Sequence, residues 1–323
     1  MTALLQFAGL ENTALPPRPL HLAIGMFDGV HLGHQSVIES AIHSARRSGG
    51  LAGVLTFWPH PSAFFRPDHP TPQILAPEMK RRVLGGLGLD FLIEQPFTRE
   101  FAAVEAAEFV PLLRHRLPQL AAVYVGDNWR FGRGRVGDVA FLVNAAPAAG
   151  LAVFSIPRLS HNGAPISSSR IRDLLATGAM AEANALLGYS YFAEGRVQPG
   201  RRLGRTIGFP TLNLAWEPPL RPRYGVYAVE VLAAGQPPAP GVANYGLRPT
   251  VETAAVSPLL EVHLLEPTRL DQGDQMTVHW LHFLRPEAKF GSLEELRRQI
   301  ARDRDNALSF HRKTAPGNSP NDA

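Results

Sequence analysis

Residues 21–187 alternate short, almost continuously apolar runs with stretches in which apolar positions recur every three or four residues. The runs are HLAIGMF (21–27), LAGVLTF (51–57), DFLIEQ centred on Phe91–Ile93, AAVYVG (121–126) and LAVFSI (151–156). Strands covered on both faces of a parallel sheet read this way. Helical periodicity lies between them at about 34–47, 77–88, 104–116 and 137–149. This alternation predicts a doubly wound α/β domain with a parallel sheet. Two further helices are predicted at 168–176 and 179–187, with Gly178 as the break and Gly188 as the stop.

After Gly188 the pattern changes. Tyr189–Val197, Tyr224–Leu232, Leu259–Glu266 and Gln275–Leu284 alternate aromatic and β-branched residues, separated by turns such as QPPAPG (236–241). They predict an antiparallel barrel or sandwich. A last helix is predicted at about 291–309, with Ser292 and Glu295 as a capping box. The tail from Thr314 has a disorder-prone composition. The expected domains are 1–187 and 188–312, followed by a disordered tail, 313–323. No internal repeat appears.

A chain of 323 residues suits two such domains, and 45% hydrophobic with 19% charged residues is globular composition. There are no cysteines, which excludes disulfides, thiolate metal sites and cysteine nucleophiles. No apolar run approaches the roughly 20 residues that span a bilayer. The N-terminus has neither a cationic start nor a small-residue cleavage site, so a cytoplasmic chain is expected. The net charge is +4, from 32 basic and 28 acidic side chains, without a dense basic stretch. Neither nucleic acid nor membrane is therefore expected as a partner. A monomer or weak homo-oligomer acting on small molecules is the expectation. Only Lys80, Lys289 and Lys313 are lysines. Arginine suits bidentate recognition of phosphate.

The first candidate site is Gly25-Met26-Phe27-Asp28-Gly29-Val30-His31-Leu32-Gly33-His34. A buried strand runs into a glycine turn and then a helix, which aims backbone N–H groups and a positive helix end at an anion. His31 and His34 are spaced to project from one side of the first helical turn, with Gly33 between them leaving room for a phosphate. Alone, the pattern equally fits two histidines at a helix start. A serine run, Ser167-Ser168-Ser169, followed by Arg172, offers hydroxyls and a guanidinium to the same kind of anion.

In context, His31–His34 resembles the H-x-G-H signature of the nucleotidyltransferase superfamily, and Gly25–Gln35 resembles its bacterial FAD synthetase form. Three further stretches are similar to that family in the same order: Thr56–Pro61 (TFWPHP), Gly126–Gly132 (GDNWRFG) and Ile166–Arg172 (ISSSRIR). Trp129 and Ser169 replace the usual Phe and Thr. The resemblance implies His31 and His34 as catalytic residues. It implies Gly25, Phe27, Asp28, Gly33, Asn128, Ser168, Ser169 and Arg172 as contacts to ATP and its phosphates.

The second candidate site is Gly204–Leu214, GRTIGFPTLNL, where Pro and Gly around Thr211 and Asn213 suggest a loop leaving a strand. A hydroxyl and an amide two residues apart suit Mg²⁺ shared with phosphates. Glu261 lies in the apolar run Leu260–Leu265, predicted to share a strand face with His263 while Leu260, Val262 and Leu264 take the other. A carboxylate there is either a satisfied structural group or a base. Gly208–Leu214 resembles the G-F-P-T-A-N-L signature of riboflavin kinases, with Leu212 in place of Ala. Gly241–Thr250, Leu260–Leu265 and Leu284–Phe290 are similar to that family's other segments, although its D-L-Y-G stretch reads Leu270-Asp271-Gln272-Gly273 here. This resemblance implies a six-stranded barrel and Glu261 as catalytic base. It further implies Thr211 and Asn213 at the divalent metal, and Gly204, Gly208, Pro210, Asn244 and Arg285 at ATP or flavin. Together the two resemblances imply one enzyme that phosphorylates riboflavin to FMN and adenylylates FMN to FAD, with ATP as co-substrate. An adenylyltransferase with a purely structural second domain, and a flavin- or nucleic-acid-binding regulator using the basic surface, are the alternatives.

Overall fold

The computed structural model describes residues 4–200, 208–249 and 256–314. The chain forms two compact units, residues 1–168 and 169–323.

In the first unit six strands make one parallel sheet: β1 (Leu5–Ala8), β2 (Leu20–Ile24), β3 (Leu51–Trp58), β4 (Phe91–Pro96), β5 (Leu120–Gly126) and β6 (Ala152–Ile156). Their order is β1-β4-β3-β2-β5-β6, all neighbours parallel. The helices are α1 (Leu32–Ser48), α2 (Pro61–Phe65), α3 (Pro77–Gly86), α4 (Arg99–Ala102), α5 (Ala106–Arg116) and α6 (Val139–Ala145), and a ribbon of β7 (Ser160–His161) and β8 (Ala164–Pro165) follows. Every residue of β2 is buried, as its unbroken apolar run requires. Leu22, Ile24, Leu55, Phe91, Ile93 and Val123 pack with Phe109 and Leu113 of α5. A Cβ on Gly53 would come within 2.2 Å of the Phe91 ring, so β3 can pass β4 only as glycine.

β1 goes beyond the sequence pattern, being four residues with no alternation to announce it. The stretch expected as one helix at 137–149 is divided. Asp138 caps α6 by accepting from Phe141 N at 2.8 Å, and Pro147, which lacks an N–H, starts a separate 3₁₀ turn. The sheet order has a consequence for function. β2 lies between β3 and β5, so successive connections run to opposite sides of it and leave a crevice at the strands' C-terminal edge.

The second unit opens with α7 (Ser168–Thr177) and α8 (Met180–Leu187). The strands β9 (Phe192–Arg196), β10 (Leu212–Ala215), β11 (Gly225–Ala233), β12 (Ala239–Pro249), β13 (Val256–Leu264) and β14 (Gln275–Arg285) follow, then α9 (Leu293–Thr314). They pair antiparallel in the order β10-β13-β12-β11-β14-β9. Gln198 N donates to Asn213 O at 2.8 Å, which joins the two edges and nearly closes a barrel. Trp280, Tyr191, Trp216, Tyr227 and Tyr245 fill its core with tilted and edge-on ring contacts.

Three details depart from the sequence pattern. β10 and β12 add to the four strands it predicts, because Pro210, Gly241 and Gly246 interrupt the alternation there. Helices α7 and α8 pack with the barrel, and the two compact units divide between Ser168 and Ser169. Asn184 of α8 donates to Trp280 O at 2.7 Å and accepts from Tyr191 N at 2.8 Å, and Arg223 N donates to Leu175 O of α7 at 3.0 Å. Finally, α9 runs on to Thr314 and only half of the capping box forms. Ser292 Oγ accepts from Glu295 N, but the Glu295 carboxylate takes Gly291 N and leaves Ser292 N aside. The tail from residue 315 lies outside the described residues. No described helix is long and apolar enough to cross a membrane.

Candidate active sites

Because the first sheet is parallel, the turns after β2, β3, β4 and β5 all emerge at one edge. The His31–His34 turn follows β2 and the Asn128 loop follows β5, on either side of the crevice. His31 is the N-cap of α1, its Nδ1 accepting from His34 N at 3.3 Å. The two imidazoles stack with centroids 3.6 Å apart at 16°, and Phe27 meets His34 edge-on at 5.4 Å. A Cβ on Gly33 would lie 3.3 Å from the His31 ring, so glycine lets that ring lie over the first turn of α1. Phe27 and Val30, both buried, are held at φ 47° and 40°. Non-glycine residues in that region cost free energy and mark a turn fixed by its surroundings.

His34 Nδ1 is enclosed and has no hydrogen-bond partner. Burial, then the charges of His31 and Lys80, hold the His34 pKa well below the usual histidine value. The neutral ring is therefore the resting form.

The other expected residues of this site fall into two groups. Asp28 builds the turn: its buried carboxylate accepts from Ile74 N at 2.8 Å, and its carbonyl accepts from Ser168 Oγ at 2.9 Å. Ser168 thus spends its hydroxyl proton on the turn. Gly25 follows β2 closely against the Phe27 ring. Asn128, by contrast, is exposed just past β5, where Trp129 N closes the turn onto Gly126 O at 3.0 Å. Trp129 itself stacks on Phe131 at 4.6 Å and packs into the core. Ser169 and Arg172 stand on the first turns of α7, in the second unit.

Beneath the turn lies a residue that no motif pointed to. Lys80 of α3 is buried, and its Nζ donates to Met26 O at 2.5 Å and Thr56 Oγ1 at 2.6 Å. Thr56 also donates to Met26 O at 3.0 Å. The signal available in the sequence is slight: Lys80 is the sole lysine before Lys289.

In the barrel, β13 carries Glu261 in register between Asn213 of β10 and Asn244 of β12. Directly opposed residues point to the same face with Cβ atoms about 4.5–5.5 Å apart, so the carboxylate stands between two amides. Leu260 and Val262 are fully buried on the other face, as the alternation predicts. His263 accompanies Glu261, and its Nδ1 donates to Pro210 O at 2.8 Å, fixing the segment that leads into Thr211. Phe209 packs edge-on against the same imidazole at 5.5 Å. Gly208 has φ 86°, a conformation that glycine adopts freely.

Asn213 lies on β10 itself and not in a loop. Its Oδ1 is enclosed without a hydrogen-bond partner, while a Cβ on Gly200 would lie 2.0 Å from its Nδ2. An enclosed, unpaired hard oxygen beside a carboxylate fits a divalent cation. Leu212, the bulkier residue at the usual alanine position, pairs with Val262 on the opposite face from Asn213.

Arg285 is already engaged. Its Nε and Nη2 fork onto Asp303 of α9 at 2.8 and 2.7 Å, and Nη1 donates to Pro286 O at 2.8 Å. The resemblance implied a ligand contact for Arg285; here its guanidinium fastens α9 to the barrel. Gly204 lies outside the described residues.

A parallel sheet with stacked histidines at its switch point, joined to an antiparallel barrel with a carboxylate between two amides, defines a two-domain class of ATP-dependent transferase. Residues 15–170 match the FAD synthetase family model and residues 187–311 the riboflavin kinase model. The chain belongs to the bifunctional riboflavin kinase/FMN adenylyltransferase family. It is 38% identical to the family's Escherichia coli K12 enzyme over 95% of this chain and 98% of that one. To the Haemophilus influenzae enzyme it is 34% identical, over 94% and 97%. A crystal structure of a Streptococcus pneumoniae protein described as a macrolide-efflux protein is similar along 95% of this chain and 99% of its own, with a TM-score of 0.84 and 28% identity.

Proposed function

We propose that the family's two reactions are divided between the units, adenylyl transfer at the His31–His34 turn and riboflavin phosphorylation at Glu261. The observation that supports the first is the stacked histidine pair at the N-terminus of α1. An FMN phosphate oxygen attacks the α-phosphorus of ATP, the bond to the bridging oxygen breaks, and pyrophosphate leaves. The two imidazole edges and the α1 N-terminus stabilise the charge on the phosphates, with Asn128 as a further contact across the crevice. An aromatic group at the ends of β3 and β4, with Phe64, Phe65 and Phe97 in mutual ring contact, offers an apolar platform on the same edge.

In the barrel, Glu261 takes the proton of the riboflavin 5′-hydroxyl as that oxygen attacks the γ-phosphorus of ATP and ADP departs. Thr211 and Asn213 would hold a divalent cation, Mg²⁺ in our reading, which neutralises charge on the transferring phosphates. Gly208, Pro210 and Asn244 line the approach to that carboxylate. We place the enzyme in the cytoplasm, acting on riboflavin, FMN and ATP as a monomer or weak homo-oligomer. The test is a single incubation with riboflavin, ATP and Mg²⁺, followed by chromatographic separation of FMN and FAD. Both products should appear in sequence, and FMN supplied directly should yield FAD without riboflavin.

A further inference from the structure

A buried lysine costs free energy that a methionine of similar length would not, so its presence needs a reason. Lys80 reaches from α3 to the C-terminal ends of two adjacent strands. It takes Met26 O past β2 and Thr56 Oγ1 in β3, and Thr56 itself bonds Met26 O. Met26 immediately precedes Phe27, the residue held at positive φ whose ring meets His34. We propose that Lys80 is a positioning residue for adenylyl transfer: its buried ammonium pins the ends of β2 and β3 beneath the His31–His34 turn and presents a fixed positive charge to His34.

The inference rests on placing adenylyl transfer at that turn. The electrostatics agree with the geometry. The charges facing Lys80 are Asp28 from the turn, Glu94 from β4 and Arg81 on its own helix, and those facing His34 are His31 and Lys80. Two carboxylates keep the lysine charged near neutral pH despite burial, and that charge in turn disfavours protonation of His34. The site thus presents the His34 imidazole as a neutral hydrogen-bonding group.

Lys80→Met in the full chain tests this, with FAD formation from FMN, FMN formation from riboflavin, and the NMR titration of the His34 ring as readouts. FAD turnover should fall about 10²-fold, the worth of a small misplacement in a transfer site, with FMN formation unchanged. The His34 titration should move to higher pH, because the neighbouring positive charge is gone. Lys80→Arg should restore the titration more fully than the rate. FAD turnover within about threefold of the parent, or an unmoved His34 titration, overturns the proposal. Should Lys80→Met fail to fold, Thr56→Val decides, since it removes one acceptor and keeps the shape. Loss of FAD turnover at an unchanged melting temperature supports the proposal, and parental turnover overturns it. His34→Ala separates the two levels. Retained FAD formation there rejects the site assignment, whereas loss there with normal Lys80→Met turnover rejects the role of Lys80 alone.

Discussion

Asn213 and Glu261 stand directly opposite one another on paired strands, the amide oxygen unpartnered and the carboxylate on the same face. The amide cannot accept a proton at neutral pH, so in the site proposed here proton acceptance falls to the carboxylate and cation binding to the amide oxygen. That division makes the roles separable by mutation.

Glu261→Gln should fold and bind ATP normally while lowering riboflavin phosphorylation by about 10²–10⁴, the usual worth of a positioned general base. The size and shape are kept, so no cavity opens. FMN supplied directly should become FAD at the parental rate. A decrease of less than about threefold would assign Glu261 a structural role. His263 would then be the next base to test through its Nε2, since its Nδ1 is committed to Pro210 O.

His31→Ala and His34→Ala should each abolish FAD formation and leave FMN formation nearly intact, as measured by product chromatography. The warrant is the stacked pair at the α1 N-terminus, which belongs wholly to the first unit. Equal loss of both products in a folded variant would reject the division of labour.

A fragment beginning at residue 169 should be more stable than one beginning at 188, although both contain the complete barrel. The shorter one loses the side chain of Asn184, which satisfies Trp280 O and Tyr191 N, and leaves both buried backbone groups unpaired. Each such group costs about 1–3 kcal/mol, enough to lower the denaturation midpoint clearly. Equal midpoints in urea would show that α7 and α8 contribute nothing to the barrel.

Lys80 gives the first unit a pH signature. Burial lowers its pKa to about 8 from 10.5. Between those values the unfolded chain holds the proton and the folded one does not, so stability attributable to this residue rises with pH. Below about pH 8 both states are charged and the full desolvation cost, roughly 3 kcal/mol, is present. Relative to Lys80→Met, the parent protein should therefore gain stability from pH 8 to pH 10. A flat difference across that range in chemical denaturation would refute the assignment.

Much of this molecule was legible from its residues. The apolar runs at 21–27, 51–57 and 121–126 became buried parallel strands, because a strand covered on both faces leaves no polar position to disguise it. The strand position of Glu261 was legible because one carboxylate interrupts an alternating strand. What stayed hidden depends on distant partners. No spacing reveals that Arg285 forks onto Asp303 eighteen positions later, or that Asp28 turns inward to Ile74 N. Lys80 was equally silent, since its meaning lies in a carbonyl and a hydroxyl from two other strands. Asn213 read as a loop residue because Pro210 precedes it, although the chain enters β10 within two residues.

The bond from Gln198 N to Asn213 O nearly closes the barrel at the residue proposed to hold a cation. Sheets breathe from their edges, which open at lower free energy than the interior ladders. Each such opening would also dismantle the ligand set proposed for the cation. At the proposed site, occupancy by nucleotide and metal would act as a latch: amide exchange at Gln198 and along β10 should slow when substrate binds, while exchange in β11 and β12 stays as it was.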